Sequence, residues 1–206
     1  MHGHPAPPAL LTGTVTGLIL AGGRGSRLGG IDKGLLDFHG TPLVQRVAQR
    51  LAGQVDGLLL SANRHLDCYR AFGFEPLSDG PYVDAGPLAG IHAGLVAAAS
   101  AWLLAVPCDM PFVPLDLCHR LLGAAPPDDR RARVPFDGEH HHYACVLLPG
   151  TALGPITGAL DAGRRSLRGL LDDIGWLGVD FARQKRAFSN LNTPADVAGA
   201  LSAELS

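Results

Sequence analysis

Short apolar runs alternate with amphipathic stretches along the chain. Thr14 to Leu20 (TVTGLIL) is apolar and β-branched and stops at a glycine-rich loop, which predicts a first strand. His39-Gly40 is a turn signal within Leu35 to Leu43. Behind it, Pro42 to Leu51 carries Leu43, Val47 and Leu51 at helical spacing. Asp56 to Ala62 reads as a second strand, Leu66 to Phe72 as a short helix and Phe74 to Leu77 as a short strand. Pro87 to Ala99 is an Ala- and Gly-rich helix. Trp102 to Pro107 is a continuous apolar run, the pattern of a strand covered on both faces. Pro114 to Leu122 predicts a helix with proline at its start.

The tempo then changes. Ala132 to Phe136 and Tyr143 to Leu148 predict a hairpin around Asp137-Gly138. Thr151 to Ala162 and Ser166 to Asp172 are helical, and Trp176 to Phe181 is a last strand. Thr193-Pro194-Ala195-Asp196 opens a final helix, with Thr as N-cap, Pro at N1 and an acid three residues after the cap. Repeated strand–helix units predict an α/β fold, a Rossmann-like three-layer α/β/α arrangement whose mostly parallel sheet carries an additional hairpin. Residues 1–13 read as a flexible N-terminal tail and 14–206 as one domain. In such sheets ligands bind beyond the carboxyl ends of the strands, so the residues just after strands are the ones that matter.

Composition narrows the classes. The 206 residues are 47% hydrophobic and 17% charged, which excludes overall disorder. A formal net charge of −2 argues against a coat of nucleic acid or anionic lipid, and 6% aromatics against a stacking platform for single strands. Cys68, Cys108, Cys118 and Cys145 form no CxxC pair, so they read as buried thiols of a reduced, cytoplasmic protein. The start lacks the charged and apolar regions of a signal peptide, and no apolar run reaches the ~18 residues that span a bilayer.

The loop after the first strand is rich in chemistry. Leu20 to Lys33 (LAGGRGSRLGGIDK) holds five glycines and three cations. Glycines let backbone N–H groups converge on a ligand, and Arg24, Arg27 and Lys33 add charge, which together suit a polyphosphate. Two familiar phosphate motifs fail on spacing. From Gly23 and Gly25 the third glycine of G-x-G-x-x-G falls on Leu28, and Gly30 is followed by Ile31 rather than the lysine of a P-loop. A Gly-rich loop alone would equally be a mobile surface loop; Arg27 and Lys33 favour phosphate.

LAGGRGSRLGGIDKGLL resembles the signature of nucleotidyltransferases of the molybdenum-cofactor type, and the double glycine after Leu20-Ala21 looks like the guanylyltransferase branch. Leu28 stands where that family usually has Met, a swap that conserves volume. Ser61-Ala62-Asn63-Arg64, after the second strand, is similar to the family's N-A-N-R, with Ser61 in place of the Asn near the base. Ser offers one hydroxyl where Asn offers an amide, so Asn63 takes a share of base recognition; both residues equally suit a helix N-cap. Asp79 matches an aspartate beside the nucleotide, and Gly86-Pro87-Leu88-Ala89-Gly90 resembles a loop whose helix N-terminus faces the site. Asp109, between Pro107 and Pro111, occupies the metal-aspartate position and is the candidate Mg²⁺ ligand. Cys108 receives no chemistry. Asn190-Leu191-Asn192-Thr193-Pro194 resembles N-x-N-T-P, which implies acceptor binding by Asn190 and Asn192. The likeness runs from Gly17 to about Ala198.

The resemblance implies transfer of GMP from GTP to molybdenum–molybdopterin, with release of pyrophosphate. Arg27, Lys33 and Asp109 would be the catalytic residues. Leu20, Ala21, Gly22, Gly23, Lys33, Ser61, Asn63, Asp79, Gly86, Pro87, Leu88 and Asp109 would bind nucleotide, with the amides from Ala21 to Gly25 on the phosphates. Mg²⁺ is the implied cofactor. Transient contacts with cofactor-delivering or cofactor-accepting proteins fit the same chemistry. The alternatives are a cytidylyltransferase for the same acceptor, a transferase acting on a sugar phosphate, and a non-catalytic nucleotide sensor. His140-His141-His142 reads as an exposed hairpin rather than a metal site, because adjacent residues of a strand alternate faces. Arg130-Arg131 and Arg164-Arg165 read as solvated charge or as help for an anionic pterin phosphate.

Overall fold

The structure is a computed structural model in which residues 14–21, 32–98 and 100–204 are described. The expected tail at 1–13 and the loop residues 22–31, among them Gly22, Gly23 and Arg27, lie outside the described residues. In chain order the elements are β1 (Val15–Leu20), β2 (Asp37–Phe38), β3 (Thr41–Pro42), α1 (Leu43–Leu51), β4 (Gly57–Ser61), α2 (Leu66–Ala71) and β5 (Pro76–Leu77). They continue with α3 (Pro87–Ala97), β6 (Trp102–Pro107), α4 (Leu117–Gly123), β7 (Ala132–Phe136) and β8 (Val146–Pro149). The last are α5 (Leu153–Asp161), α6 (Leu167–Ile174), β9 (Trp176–Asp180) and α7 (Pro194–Glu204). Among the described residues no helix is long and apolar enough to cross a membrane.

Seven strands form one sheet in the order β5-β4-β1-β6-β8-β7-β9. All run parallel except β8, which is antiparallel to β6 and β7. Side-chain alternation divides the core. Val15, Ile19, Leu104 and Val106 pack with Val47, Leu51 and Leu117 on one face. Leu18, Leu103 and Ala105 pack with Leu88, Ile91, Ile156 and Leu171 on the other. The sheet is therefore covered on both sides, as the apolar run at Trp102 predicts.

Register places the strand ends in a row. Leu20 stands opposite Ser61 on one side and Pro107 on the other, and Ser61 stands opposite Leu77. The segments that follow those four residues consequently leave the sheet side by side. Helix α3 lies close against this edge because Gly90 and Gly94 have no side chain. A Cβ on Gly94 would come within 2.6 Å of Leu18, and one on Gly90 within 2.6 Å of the Ser61 hydroxyl.

The structure departs from expectation at the start of α4, at the Asp137 connection and in the histidine run. Helix α4 starts at Leu117, because the Pro114 carbonyl is occupied by the amides of Leu117 (3.3 Å) and of the Gln54 side chain (2.9 Å), which makes Pro111 to Asp116 a turn. The hairpin at Asp137-Gly138 is a wide connection rather than a tight turn. Asp137 accepts the amides of Glu139 (2.8 Å) and His140 (2.7 Å), and β8 pairs chiefly with β6. The tight hairpin is β2–β3, where His39 and Gly40 both take positive φ (55° and 74°) as a type I′ turn requires.

The histidine run is not an exposed hairpin. Only His140 is exposed. His141 packs among the rings of Phe136, Tyr143 and Trp176, while His142 stacks on Phe188 with Nε2 2.8 Å from Asp137. The cause is Asp137, which folds the connection back onto the sheet edge. Among the described residues no group of three His, Cys, Asp or Glu could hold a metal ion.

Candidate functional site

The site begins where the chain re-enters the described structure. Asp32 caps a short 3₁₀ turn, Lys33–Leu35, its Oδ1 accepting the Gly34 amide at 3.1 Å. The turn aims Lys33 at the end of β6. There Nζ donates to Asp109 Oδ2 at 3.0 Å and to Asn192 Oδ1 at 2.5 Å. The Asp109 carbonyl accepts the Leu191 amide at 2.8 Å, which ties the Asn190–Asn192 segment to the same strand end. Leu191 is buried with Phe38, Leu43 and Val197, so Asn190 and Asn192 flank an anchored residue. Helix α7 holds this segment through a capping box. Thr193 Oγ1 accepts the Asp196 amide at 3.0 Å, and Asp196 Oδ2 accepts the amides of Thr193 and Asn192, each at 2.9 Å.

Asp109 is only 8% exposed, and its Oδ1 is buried with no hydrogen-bond partner among the described residues. A buried carboxylate oxygen without a donor is costly unless a cation or ligand group completes it. With one oxygen on Lys33 and one open, Asp109 suits a hard divalent ion that fills the rest of its shell from phosphate and water.

A second cluster lies across β1. Asp79 accepts the Ser61 hydroxyl on Oδ1 at 3.1 Å and the Asn63 amide on Oδ2 at 2.6 Å, while its own N–H donates to Asn63 Oδ1 at 3.1 Å. Ser61 is 1% exposed and lies against Gly90, so it supports Asp79 from below. Asn63 is exposed. Gly86 takes φ 74° at the start of α3, and Pro87 is its first residue. The Leu88 side chain is fully buried and Leu20 nearly so; both belong to the core.

The Ala21 amide does not remain free for phosphate: it donates to the Ser61 carbonyl at 2.9 Å as β1 extends by one bond. Arg131 pairs with Asp129 at 2.7 Å and Arg164 pairs with Asp173. Arg130 and Arg131 line a cavity of about 510 Å³ with Pro149 and Thr151, where β7 starts and β8 ends, at the opposite end of the sheet from Asp109. They do not join the site. Burial pushes the Cys108 thiol far above its ordinary range, which suits it to packing and not to nucleophilic attack.

Asp32 and its partner Tyr69, whose hydroxyl donates to Asp32 Oδ1 at 2.7 Å, lie beside Lys33 and are absent from the sequence-derived candidates. Asp32 sat in plain view beside Lys33. Tyr69 carries no local signal that separates it from any other core aromatic on a short helix.

Comparison with known proteins identifies the family. Residues 17–177 match the family described as MobA-like NTP transferase domain. The molybdenum cofactor guanylyltransferase of Vibrio campbellii is 40% identical over 184 residues, 88% of this chain and 92% of the relative. That of Cupriavidus taiwanensis is 41% identical over 184 residues, 87% and 92% of the two chains. Molybdopterin-guanine dinucleotide biosynthesis protein A from Archaeoglobus fulgidus shares the fold, with a TM-score of 0.75 at 20% identity over 92% of this chain and 98% of that one. The chain belongs to the molybdenum cofactor guanylyltransferase family of MobA-like nucleotidyltransferases.

Proposed function

We propose that this protein transfers GMP from GTP to molybdenum–molybdopterin, forming the guanine dinucleotide cofactor and pyrophosphate. The observation that carries the reading is the meeting of Lys33, Asp109 and Asn192 at one point beside the β6 strand end. Names of relatives at about 40% identity favour guanylyl transfer over the cytidylyl and sugar-phosphate alternatives.

A terminal phosphate oxygen of the acceptor attacks the α-phosphorus of GTP. A new P–O bond forms, the bond from the α-phosphorus to the bridging oxygen breaks, and pyrophosphate leaves with the electron pair. A phosphate monoester is already largely dianionic near neutral pH, so no side-chain nucleophile or base is needed. The barrier is the approach of two anions and the charge that builds on the leaving group. Lys33 neutralises part of that charge, and Asn192 and Asp109 hold its ammonium in place. Asp109 would hold Mg²⁺ through its open Oδ1, and the ion would supply further neutralisation of the phosphates when bound. Arg27 and the amides of Gly22 and Gly23 are assigned to the triphosphate.

Asp79 is assigned to the base. The Watson–Crick edge of guanine presents two adjacent N–H donors, which a carboxylate accepts side by side; cytosine presents one amino group. Asn63 adds an exposed amide, while Ser61 acts through Asp79. Asn190 and Asn192 are assigned to the acceptor. All four thiols are free; Cys108, Cys118 and Cys145 are buried as expected, whereas Cys68 is exposed on the short helix α2, and the set suits a reducing compartment, so we place the reaction in the cytoplasm.

The test is pyrophosphate release from GTP with Mg²⁺ and molybdenum–molybdopterin, with CTP run in parallel. Release with GTP and little with CTP is expected. Equal use of the two nucleotides removes the guanine assignment, and release that ignores the acceptor removes the transfer reaction.

A further inference from the structure

We infer that Tyr69 is a positioning residue for nucleotidyl transfer, acting on Lys33 through Asp32. Tyr69 lies on α2 and is fully buried. Its hydroxyl donates to Asp32 Oδ1 at 2.7 Å, the same oxygen that accepts the Gly34 amide at 3.1 Å. Gly34 lies directly over the hydroxyl, where an added Cβ would come within 2.5 Å. Lys33 stands between these two residues: the phenol holds the Asp32 carboxylate, and that carboxylate in turn holds the Gly34 amide.

The arrangement reaches further. Tyr69 belongs to the same buried cluster as Ala62 and Cys108, the residues beside the ends of β4 and β6. Its ring thus sits in the core layer to which the ends of β4 and β6 also belong, while its hydroxyl holds the cap of the turn that carries Lys33. A half-exposed lysine on a short 3₁₀ turn has many rotamers and a backbone that is easily displaced. A hydrogen bond to a carboxylate is among the stronger directional contacts a neutral donor makes. Tyr69 therefore sets the distance between the Lys33 ammonium and Asp109 without touching substrate.

The inference rests on Lys33 acting on the triphosphate, and its test separates the two claims. Tyr69→Phe keeps the ring and removes the hydroxyl; Asp32→Ala removes the acceptor without disturbing the ring. Each is expected to lower kcat for GMP transfer on the order of tenfold, with the KM for the acceptor unchanged. Asp32→Asn keeps an acceptor oxygen and is expected to recover most of the loss. In a Lys33→Ala background, Tyr69→Phe should then have little further effect on kcat or on GTP affinity, because the group it positions is gone. A purely structural role predicts multiplying losses. Wild-type kcat in Tyr69→Phe, or losses that multiply with Lys33→Ala, overturns the inference. A Lys33→Ala protein that turns over normally instead overturns the assignment of Lys33.

Discussion

Lys33 Nζ lies 3.0 Å from Asp109 Oδ2, although 76 residues separate them in the chain. The pair is neither fully wet nor fully dry, with side chains 34% and 11% exposed. Its worth to stability is correspondingly modest. Its placement at the β6 strand end, with Asn192 as a third member, is what we propose holds charge ready for a ligand.

Replacing Lys33 with Ala removes the ammonium that we assign to the triphosphate. The expected result is a loss of at least about tenfold in kcat/KM for GTP, with the fold retained. Steady-state kinetics with varied GTP, together with a far-ultraviolet dichroism spectrum, check it. An unchanged kcat/KM takes Lys33 out of the mechanism.

Asp109→Ala is expected to cut kcat by about two to three orders of magnitude, the scale on which removal of one transition-state electrostatic contact is felt. Stability should change by about 1 kcal/mol or less, because Lys33 keeps Asn192 and partial hydration. The wild-type protein should lose activity in a chelator and recover it with Mg²⁺. Asp109→Ala should gain little from added Mg²⁺, and a variant that shows the wild-type Mg²⁺ dependence clears Asp109 of metal binding.

Asp79→Asn replaces one acceptor oxygen by an amide that repels guanine's N–H donors. Affinity for GTP should fall about tenfold or more, while affinity for CTP changes less. Calorimetric titration of both nucleotides reads the ratio directly. A parallel loss for both would show that Asp79 supports the local fold and does not read the base.

Asp137 makes a stability prediction at low pH. Burial alone would raise its carboxyl, but the amides of His140 and Glu139 and the side chain of His142 outweigh it and hold the group well below the ordinary carboxylate range. A carboxyl whose folded value lies below its unfolded value, about 3.9, adds stability above that value and loses it as pH falls. Thermal melts between about pH 3 and pH 6 should therefore fall more steeply for the wild type than for Asp137→Asn. Superimposable acid limbs would remove Asp137 from the account.

Much of the architecture is legible in the chain because its causes are local. The β-branched run at Val15–Leu20, the apolar run at Trp102–Pro107, and the cap at Thr193 with Asp196 act within a few residues, and each appears where the pattern places it. The start of α4 and the width of the Asp137 connection differ from the local pattern for the converse reason. A carbonyl taken by Gln54 and a strand inserted between β6 and β7 are distant partners that no local window contains.

By itself, then, the sequence determined that strands and helices alternate, and that Lys33, Asp79 and Asp109 follow strands, since periodicity and side-chain chemistry are written residue by residue. Only the tertiary structure decided that Lys33 meets Asp109 and Asn192, that Ser61 turns inward to Asp79, and that Tyr69 holds Asp32. Those meetings depend on parallel register and close helix–sheet packing, which join residues tens of positions apart through a core that no short segment specifies.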